Sequence, residues 1–452
     1  MPRRFLLTLA AAALAAPLAA AADRPNLVVL MTDDQRHDAL SCAGNKVLKT
    51  PNLDRLAREG MRFRNAFVTN SLCAPSRATV MTGLYSHAHG VRDNTARRPD
   101  VPLSIPFVSD LLRRAGYEVA FCGKSHARSA FRDRKWDYYF GFQGQGNYLK
   151  PVLAEGTDGK DKLYPGWMDD VVAEKAIGWL RQKRDKPFAL FLFFKAPHRS
   201  WLPPPRHRTL FADTAIPKPA LWDADRKAKP SAFWKADNVI GNFKDVPDLD
   251  TFLKGYYRCL TGVDDNVGKL LAALKEAGKL DDTAVLFTSD NGFFAGEWRA
   301  FDKRFMHEPS IRVPLLVRYP RRVKPGQVCD RMVLNVDIAP TLLDLAGAEV
   351  PKAMHGRSWV PLLKDPKAGW RKDWLYEYYE YPGPHSVRKN RGVRTERYKY
   401  IHYYEEPQEH ELYDLEKDPE ERENLYGRKG YEELTKQLQK RLEELRKETG
   451  DR

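Results

Sequence analysis

At 452 residues the chain is too long for one small module and fits a large catalytic unit with a smaller appendage. Hydrophobic residues make up 42% and aromatics 11%, in short runs punctuated by Gly and Pro, which excludes a fibre or an intrinsically disordered chain. Lys and Arg number 75 against 60 acidic residues, a net charge of +15; with no zinc-finger spacing and no aromatic RNA-binding strand, an acidic extracellular polymer fits this charge better than nucleic acid does.

The first element in chain order is a leader. Arg3 and Arg4 precede the apolar run "FLLTLAAAALAAPLAAAA", which ends in small residues just before Asp23. This predicts a secretory signal peptide over residues 1–22, cleaved after the Ala20–Ala22 stretch. The alanine content and Pro17 argue against a retained anchor, and no later run reaches the ~18 apolar residues of a membrane helix. The expectation is an exported protein, periplasmic or secreted, with no stable membrane anchor.

"NLVVLMTDD" reads as a buried parallel strand ending in two carboxylates. "TPNLDRLAREG" offers Thr50 as N-cap, Pro51 at the first helical position and Gly60 as terminator. "SRATVMTG" reads as a second helix, capped by Ser76 and closed by Gly83, which puts Cys73 beside its N-terminus. "SIPFVSDLLRRAG" leads into the strand "YEVAFCG", a helix around Val171–Leu180 leads into "FALFLFF", and "GVDDNVGKLLAALKEAG" leads into "TAVLFTSDNG", with "VPLLVRY" following. This alternation predicts an α/β sandwich with a mostly parallel central sheet flanked by helices, over residues 23–365. Residues 211–253 show no periodicity and read as a long excursion that shapes a substrate cleft. From residue 366 to 452, "DWLYEYYEY", "RGVRTERYKYIHYY" and "YEELTKQLQKRLEELRKE" predict a small α+β C-terminal subdomain of antiparallel strands and a terminal helix.

Three predicted strands end in chemistry: Asp33 and Asp34, Lys124 and His126 of "GKSH", and Asp290 and Asn291 of "SDNG". Ligands of open α/β sheets bind beyond the carboxyl ends of strands, so these groups can converge. Acidic and amide oxygens without soft donors favour calcium or magnesium over zinc. The five cysteines show no CxxC spacing, and their odd number leaves one free, paired between chains or chemically altered. For Cys73 three readings stand: a buried structural thiol, a low-pKa thiolate, or a modified residue.

"CAPSR" resembles the C-x-P-S-R signature of the type I, formylglycine-dependent sulfatases of the alkaline phosphatase superfamily. "PNLVVLMTDDQR", "TPNLDRLAREGMRFRNAFV", "GKSH", "KAPH", "SDNG" and "FDKRFMHEPSIRVPLLVRYP" match that family in order, across about residues 25–330. "FQGQGNY" and the last of these blocks look most like the N-acetylglucosamine-6-sulfatase branch. The resemblance implies an alkaline-phosphatase-like fold and hydrolysis of sulfate esters in a sulfated glycan. It implies conversion of Cys73 to Cα-formylglycine by a maturation enzyme, and one calcium ion held by Asp33, Asp34, Asp290 and Asn291 with the modified Cys73. The hydrated aldehyde attacks sulfur with one hydroxyl, and the other expels sulfate as the aldehyde reforms, splitting one hard step into two. Arg77 is implied to hold the hydrate, Lys124 and Lys303 the sulfate oxygens, His126 to assist sulfate release, and His198 to face the leaving oxygen. His87 and His89 read as structural.

The chain departs from the branch at Trp298 and Arg299, at Ser125, and at Arg199, Ser200 and Trp201, all of which the matching blocks would place along the pocket. Two rival readings remain open: a phosphodiesterase or phosphonate monoester hydrolase of the same superfamily, and a sulfated-glycan binding protein that has lost the chemistry.

Overall fold

The sequence NLVVLMT forms β1 (Asn26–Thr32), and every residue of it is buried. A strand with no solvent face needs a partner on each edge and a helical layer over each face. In the computed structural model, which describes residues 24–95, 100–126 and 131–451, β1 has both; the expected signal peptide lies outside the described residues. The chain continues through β2 (Met61–Phe67), β3 (Glu118–Lys124), β4 (Tyr138–Phe142), β5 (Val152–Glu155), β6 (Asp161–Leu163), β7 (Phe188–Phe193) and β8 (Thr283–Ser289). A small hairpin of β9 (Phe294–Ala295) and β10 (Phe301–Asp302) follows, then β11 (Arg312–Arg318), β12 (Gln327–Cys329) and β13 (Val333–Leu334). The resulting 11-stranded sheet runs β12-β2-β11-β8-β1-β7-β3-β4-β5-β6, with β13 also on β2.

β8, β1, β7, β3 and β4 are parallel neighbours, so their carboxyl ends lie along one edge. β11 departs from this, lying antiparallel between β8 and β2. Between β8 and β11 the chain makes the small hairpin, a 3-10 turn at Glu297–Arg299 and a four-residue helix, Glu308–Ile311, but no helix of the kind that usually carries a parallel crossover over the sheet. One helical layer includes Met168–Leu180 and Leu249–Glu276, whose Val172, Val263 and Leu270 pack on Leu30 and Leu190 of the sheet. The other includes Val108–Arg114 and Ile338–Leu345 over Val29 and Phe191.

The helix α1 (Pro51–Glu59) spans the residues its sequence predicts, with Leu53 and Leu56 buried, but Thr50 makes no capping bond, because its hydroxyl accepts from the Ser41 backbone and donates to Asp54. The next, α2, spans Cys73–Thr82 and so begins three residues before the expected cap. Ser76 is not a cap because its hydroxyl accepts from the Asn335 amide at 2.8 Å and is committed to that tertiary contact. Gly83 closes α2 at φ 68, as expected.

Four strands, β14 (Asp373–Tyr378), β15 (Asn390–Thr395), β16 (Tyr398–Tyr403) and β17 (Glu409–Asp414), form a separate antiparallel sheet, covered by the helix Glu432–Thr449. The excursion over residues 211–253 is not featureless: it holds a short helix at Ser231–Trp234 and the start of Leu249–Glu276. It ties the two sheets together, since the buried Lys229 ammonium bonds the Tyr413 hydroxyl at 2.7 Å between the Trp298 and Tyr413 rings. Trp298 is therefore a packing residue against Phe233 and His307 rather than a pocket wall. Trp201 likewise is buried on Phe252 and Phe293. All five cysteines are free thiols.

Candidate active site

The carboxyl edge of the sheet brings the expected groups together. Asp33 and Asp34 follow β1, Asp290 and Asn291 follow β8, Lys124 ends β3, and Cys73 opens α2; all six are buried. Gly123 allows this closeness, because at φ 112 any Cβ there would overlap the Phe193 carbonyl of the adjacent strand. A side chain at Gly292 would collide with the Pro309 carbonyl in the same way, and that fixes the turn carrying Asp290 and Asn291.

Oxygen ligand atoms of Asp33, Asp34 and Asp290 lie within 4.8 Å of one another. Asn291 donates to Asp34 Oδ1 at 2.7 Å, and the Asp34 backbone N–H donates to Asp290 Oδ1 at 3.1 Å. Two buried oxygens in this cluster, Asp33 Oδ1 and Asn291 Oδ1, have no hydrogen-bond partner. Hard donors, crowded negative charge and orphaned lone pairs fit a hard divalent cation. Cys73, Asp33 and His198 form an overlapping group, their sulfur, oxygen and nitrogen also within 4.8 Å.

Cations border the same cluster. Arg77, fully buried, donates to Asp290 Oδ2 at 2.9 Å and to the Lys124 carbonyl at 2.7 Å, with its third nitrogen 3.6 Å from Asp33. Lys124 pairs with Asp33 and donates to Gln145 Oε1 at 2.6 Å. Lys303 pairs with Asp34 and reaches the Cys73 sulfur at 3.2 Å. His198 Nδ1 donates to the Arg199 carbonyl at 2.6 Å, so its Nε2, 3.8 Å from Asp34, carries a proton only in the imidazolium form. His126, at φ 59, keeps a buried Nδ1 without a partner among the described residues.

These charges bear on one reading of Cys73. Burial, reinforced by Asp33, pushes its thiol pKa up despite Lys303 and Lys124, which disfavours the low-pKa thiolate. Burial alone would raise Asp33, but Lys124, His198, Arg77 and Lys303 hold it well below the usual carboxylate range. Burial and the neighbouring Asp33 push Asp290 up to about 7. Burial, then Lys124, holds both His126 and His198 well below the ordinary imidazole value.

Other residues of the site carry no sequence signal of their own. Asp302 and Arg304, both at positive φ, flank Lys303 and pair with each other. Arg304 continues to Glu380 at 3.2 Å, and His385 lies 3.9 Å from Asp302 and 3.2 Å from Asp237. Asp302 and Arg304 sit inside the matched block "FDKRFMHEPSIRVP", which is the one signal that could have found them. Glu380 and His385 come from the connection between β14 and β15 and fall outside every matched block. Asp169 accepts from the Lys195 and Ala196 backbone at 2.7 and 2.9 Å, and so holds the turn that leads to His198. His87 pairs with Glu377 and His89 with the Thr79 hydroxyl, both away from the cluster, as expected.

Known proteins resemble this chain over most of its length. The Sulfatase family model matches residues 25–348, and the model for the C-terminal part of N-sulphoglucosamine sulphohydrolase matches 296–448. The N-acetylglucosamine-6-O-sulfatase of Bacteroides thetaiotaomicron is 36% identical over 100% of this chain and 92% of its own. The human N-acetylglucosamine-6-sulfatase is 31% identical over 80% of this chain and 68% of its own. A protein solved in complex with its substrate D-glucosamine-2-N,6-O-disulfate superposes with a TM-score of 0.89 at 35% identity, covering 95% of this chain and 98% of that one.

Proposed function

The chain belongs to the sulfatase family and is a sulfuric ester hydrolase, and from that premise we propose that it removes the 6-O-sulfate of a glucosamine residue in a sulfated glycan. The observation that carries this reading is the meeting of Cys73, Asp34 and Lys303 at one buried point, with the sulfur 3.2 Å from the ammonium. The substrate rests on the relatives, two of which are named for N-acetylglucosamine 6-sulfate and one of which was solved with a 6-O-sulfated glucosamine.

In this reading Cys73 is oxidised by a maturation enzyme to formylglycine, whose hydrate supplies both the attacking hydroxyl and the one that later releases sulfate. Asp33, Asp34, Asp290 and Asn291 hold calcium, which would neutralise charge on the sulfate oxygens. The chain's own groups do the rest. Lys124 and Lys303 turn from their carboxylates to the sulfate and hold it in line. Arg77 fixes Asp290 and the Lys124 backbone, keeping the nucleophile and the carboxylates in register. His198 faces the leaving oxygen through Nε2; the arriving sulfate anion favours its imidazolium, and that proton passes to the departing sugar oxygen. His126 receives a proton as sulfate leaves. Asp302 and Arg304 flank Lys303, with His385 beside Asp302, and the three present hydrogen-bonding groups to the sugar hydroxyls. Export by residues 1–22, with a boundary between catalytic and C-terminal parts near residue 365, completes the proposal.

The test is a side-by-side assay of the protein from a host that performs the maturation, on N-acetylglucosamine 6-sulfate, its 6-phosphate, and a phenyl phosphonate. Sulfate release outpacing the other two supports the assignment. Faster phosphate or phosphonate turnover would assign the chain to the phosphonate and phosphodiester branch, and no turnover at all to a binding protein.

A further inference from the structure

A second cavity, of about 340 Å³, opens on the outer face of the C-terminal sheet. Its floor is set by strand alternation: Leu375, Glu377 and Tyr379 point into it, while Tyr376 and Tyr378 point into the core. Arg391 lies opposite Glu377 in register, yet the two are not paired. Glu377 is already committed, to His87 Nδ1 at 2.7 Å and the Tyr379 hydroxyl at 2.9 Å. The other acid, Asp451, accepts from Arg446 at 2.7 Å.

Two guanidiniums are therefore left over. Arg391 lies 4.1 Å from the centre of the Tyr404 ring with its Nε buried and without a partner. Arg92 lies 5.1 Å from the centre of the Tyr379 ring. Among the described residues neither has a carboxylate partner. A guanidinium seated on an aromatic face is held in place while its N–H edge stays free, and that edge matches the two oxygens of a sulfate bidentately.

The cavity backs onto the candidate active site. Past β14, Tyr379 faces the cavity while Glu380 faces inward and holds Arg304, the neighbour of Lys303. The segment that brings Arg92 also brings Asn94, which donates to Glu380 at 2.8 Å and accepts from the backbone N–H of Ala74, next to Cys73, at 3.0 Å.

We propose that this cavity is a second binding site for a sulfated sugar residue of the same polyanionic chain whose terminal residue is desulfated, a proposal that rests on the glycan reading above. Arg92 and Arg391 grip its sulfate, and the excess of Lys and Arg over acidic residues attracts the polymer as a whole.

The test uses full-length protein carrying Cys73→Ser, so that nothing is turned over, titrated with a fully sulfated heparin-derived hexasaccharide and with its desulfated counterpart, which keeps the carboxylates. Adding Arg92→Ala and Arg391→Ala is expected to weaken the sulfated hexasaccharide about tenfold and to leave the weak binding of the desulfated one unchanged. In the matured enzyme made without the Cys73→Ser change, the same pair leaves sulfate release from the monosaccharide unchanged, which also shows that the fold is kept. Unchanged hexasaccharide affinity, an equal loss for the desulfated chain, or a parallel fall in monosaccharide turnover would overturn the proposal. Binding that depends on both arginines in a protein that never cleaves a 6-sulfate would instead refute the substrate assignment and leave this site standing.

Discussion

Lys303 holds its ammonium 3.2 Å from the Cys73 sulfur while ion-paired with Asp34, so one cation serves both the nucleophile position and the carboxylate cluster. Its burial makes the charge worth far more than it would be in water. Lys303→Ala, assayed with calcium in excess, is expected to lower kcat/KM on sulfate esters by about 10²- to 10³-fold. Steady-state kinetics check this; a change within twofold would remove Lys303 from the chemistry.

For His198 the expectation depends on the leaving group. A sugar alkoxide needs a proton as it departs and a nitrophenolate does not, so His198→Ala should lower sulfate release from N-acetylglucosamine 6-sulfate by about 10²- to 10⁴-fold while costing 4-nitrophenyl sulfate far less. Equal losses on both substrates would make His198 a sulfate ligand only.

Crowded carboxylates with two orphaned oxygens should gain stability from a divalent ion. Calcium at a hundredfold excess over its dissociation constant is expected to stabilise the fold by about 2.7 kcal/mol, seen as a rise in Tm. Asp290→Asn should abolish that rise, and chelation should abolish activity. Differential scanning calorimetry with and without calcium reads both.

Asp169 gives a pH signature away from the cluster. Burial raises its pKa from 3.8 to about 7, against the backbone bonds from Lys195 and Ala196. Between those values the folded protein binds a proton that the unfolded chain has lost, so stability falls as pH rises through that window. The wild-type Tm should therefore decline from pH 4 to pH 7 more steeply than that of Asp169→Asn; parallel curves would contradict the assignment.

Much of this was legible in the sequence, because its signals are local. The apolar run of β1 reads as a buried strand, and the acids that follow it then fall at the sheet's carboxyl edge. "GKSH" and "SDNG" end strands in the same way, so Lys124, Asp290 and Asn291 fall where periodicity puts them. What escaped depends on distant partners. Ser76 looks like a cap until Asn335 takes its hydroxyl. Trp298 looks like a pocket residue until the excursion brings Phe233 and Lys229 against it. The Asp302–Arg304–Glu380 chain and His385 join segments about eighty residues apart, and no spacing rule reaches across that.

The central claim is that the buried Cys73 is the precursor of the nucleophile, since burial raises its thiol pKa and disfavours the thiolate as it stands. The most direct measurement is the mass of the Cys73 peptide from active protein made in a host with the maturation machinery, alongside sulfate release by the same sample. A peptide about 18 Da lighter than the cysteine form, in a fraction that tracks the specific activity, is the result expected of formylglycine. Full activity from protein whose Cys73 is entirely an unmodified thiol would contradict it.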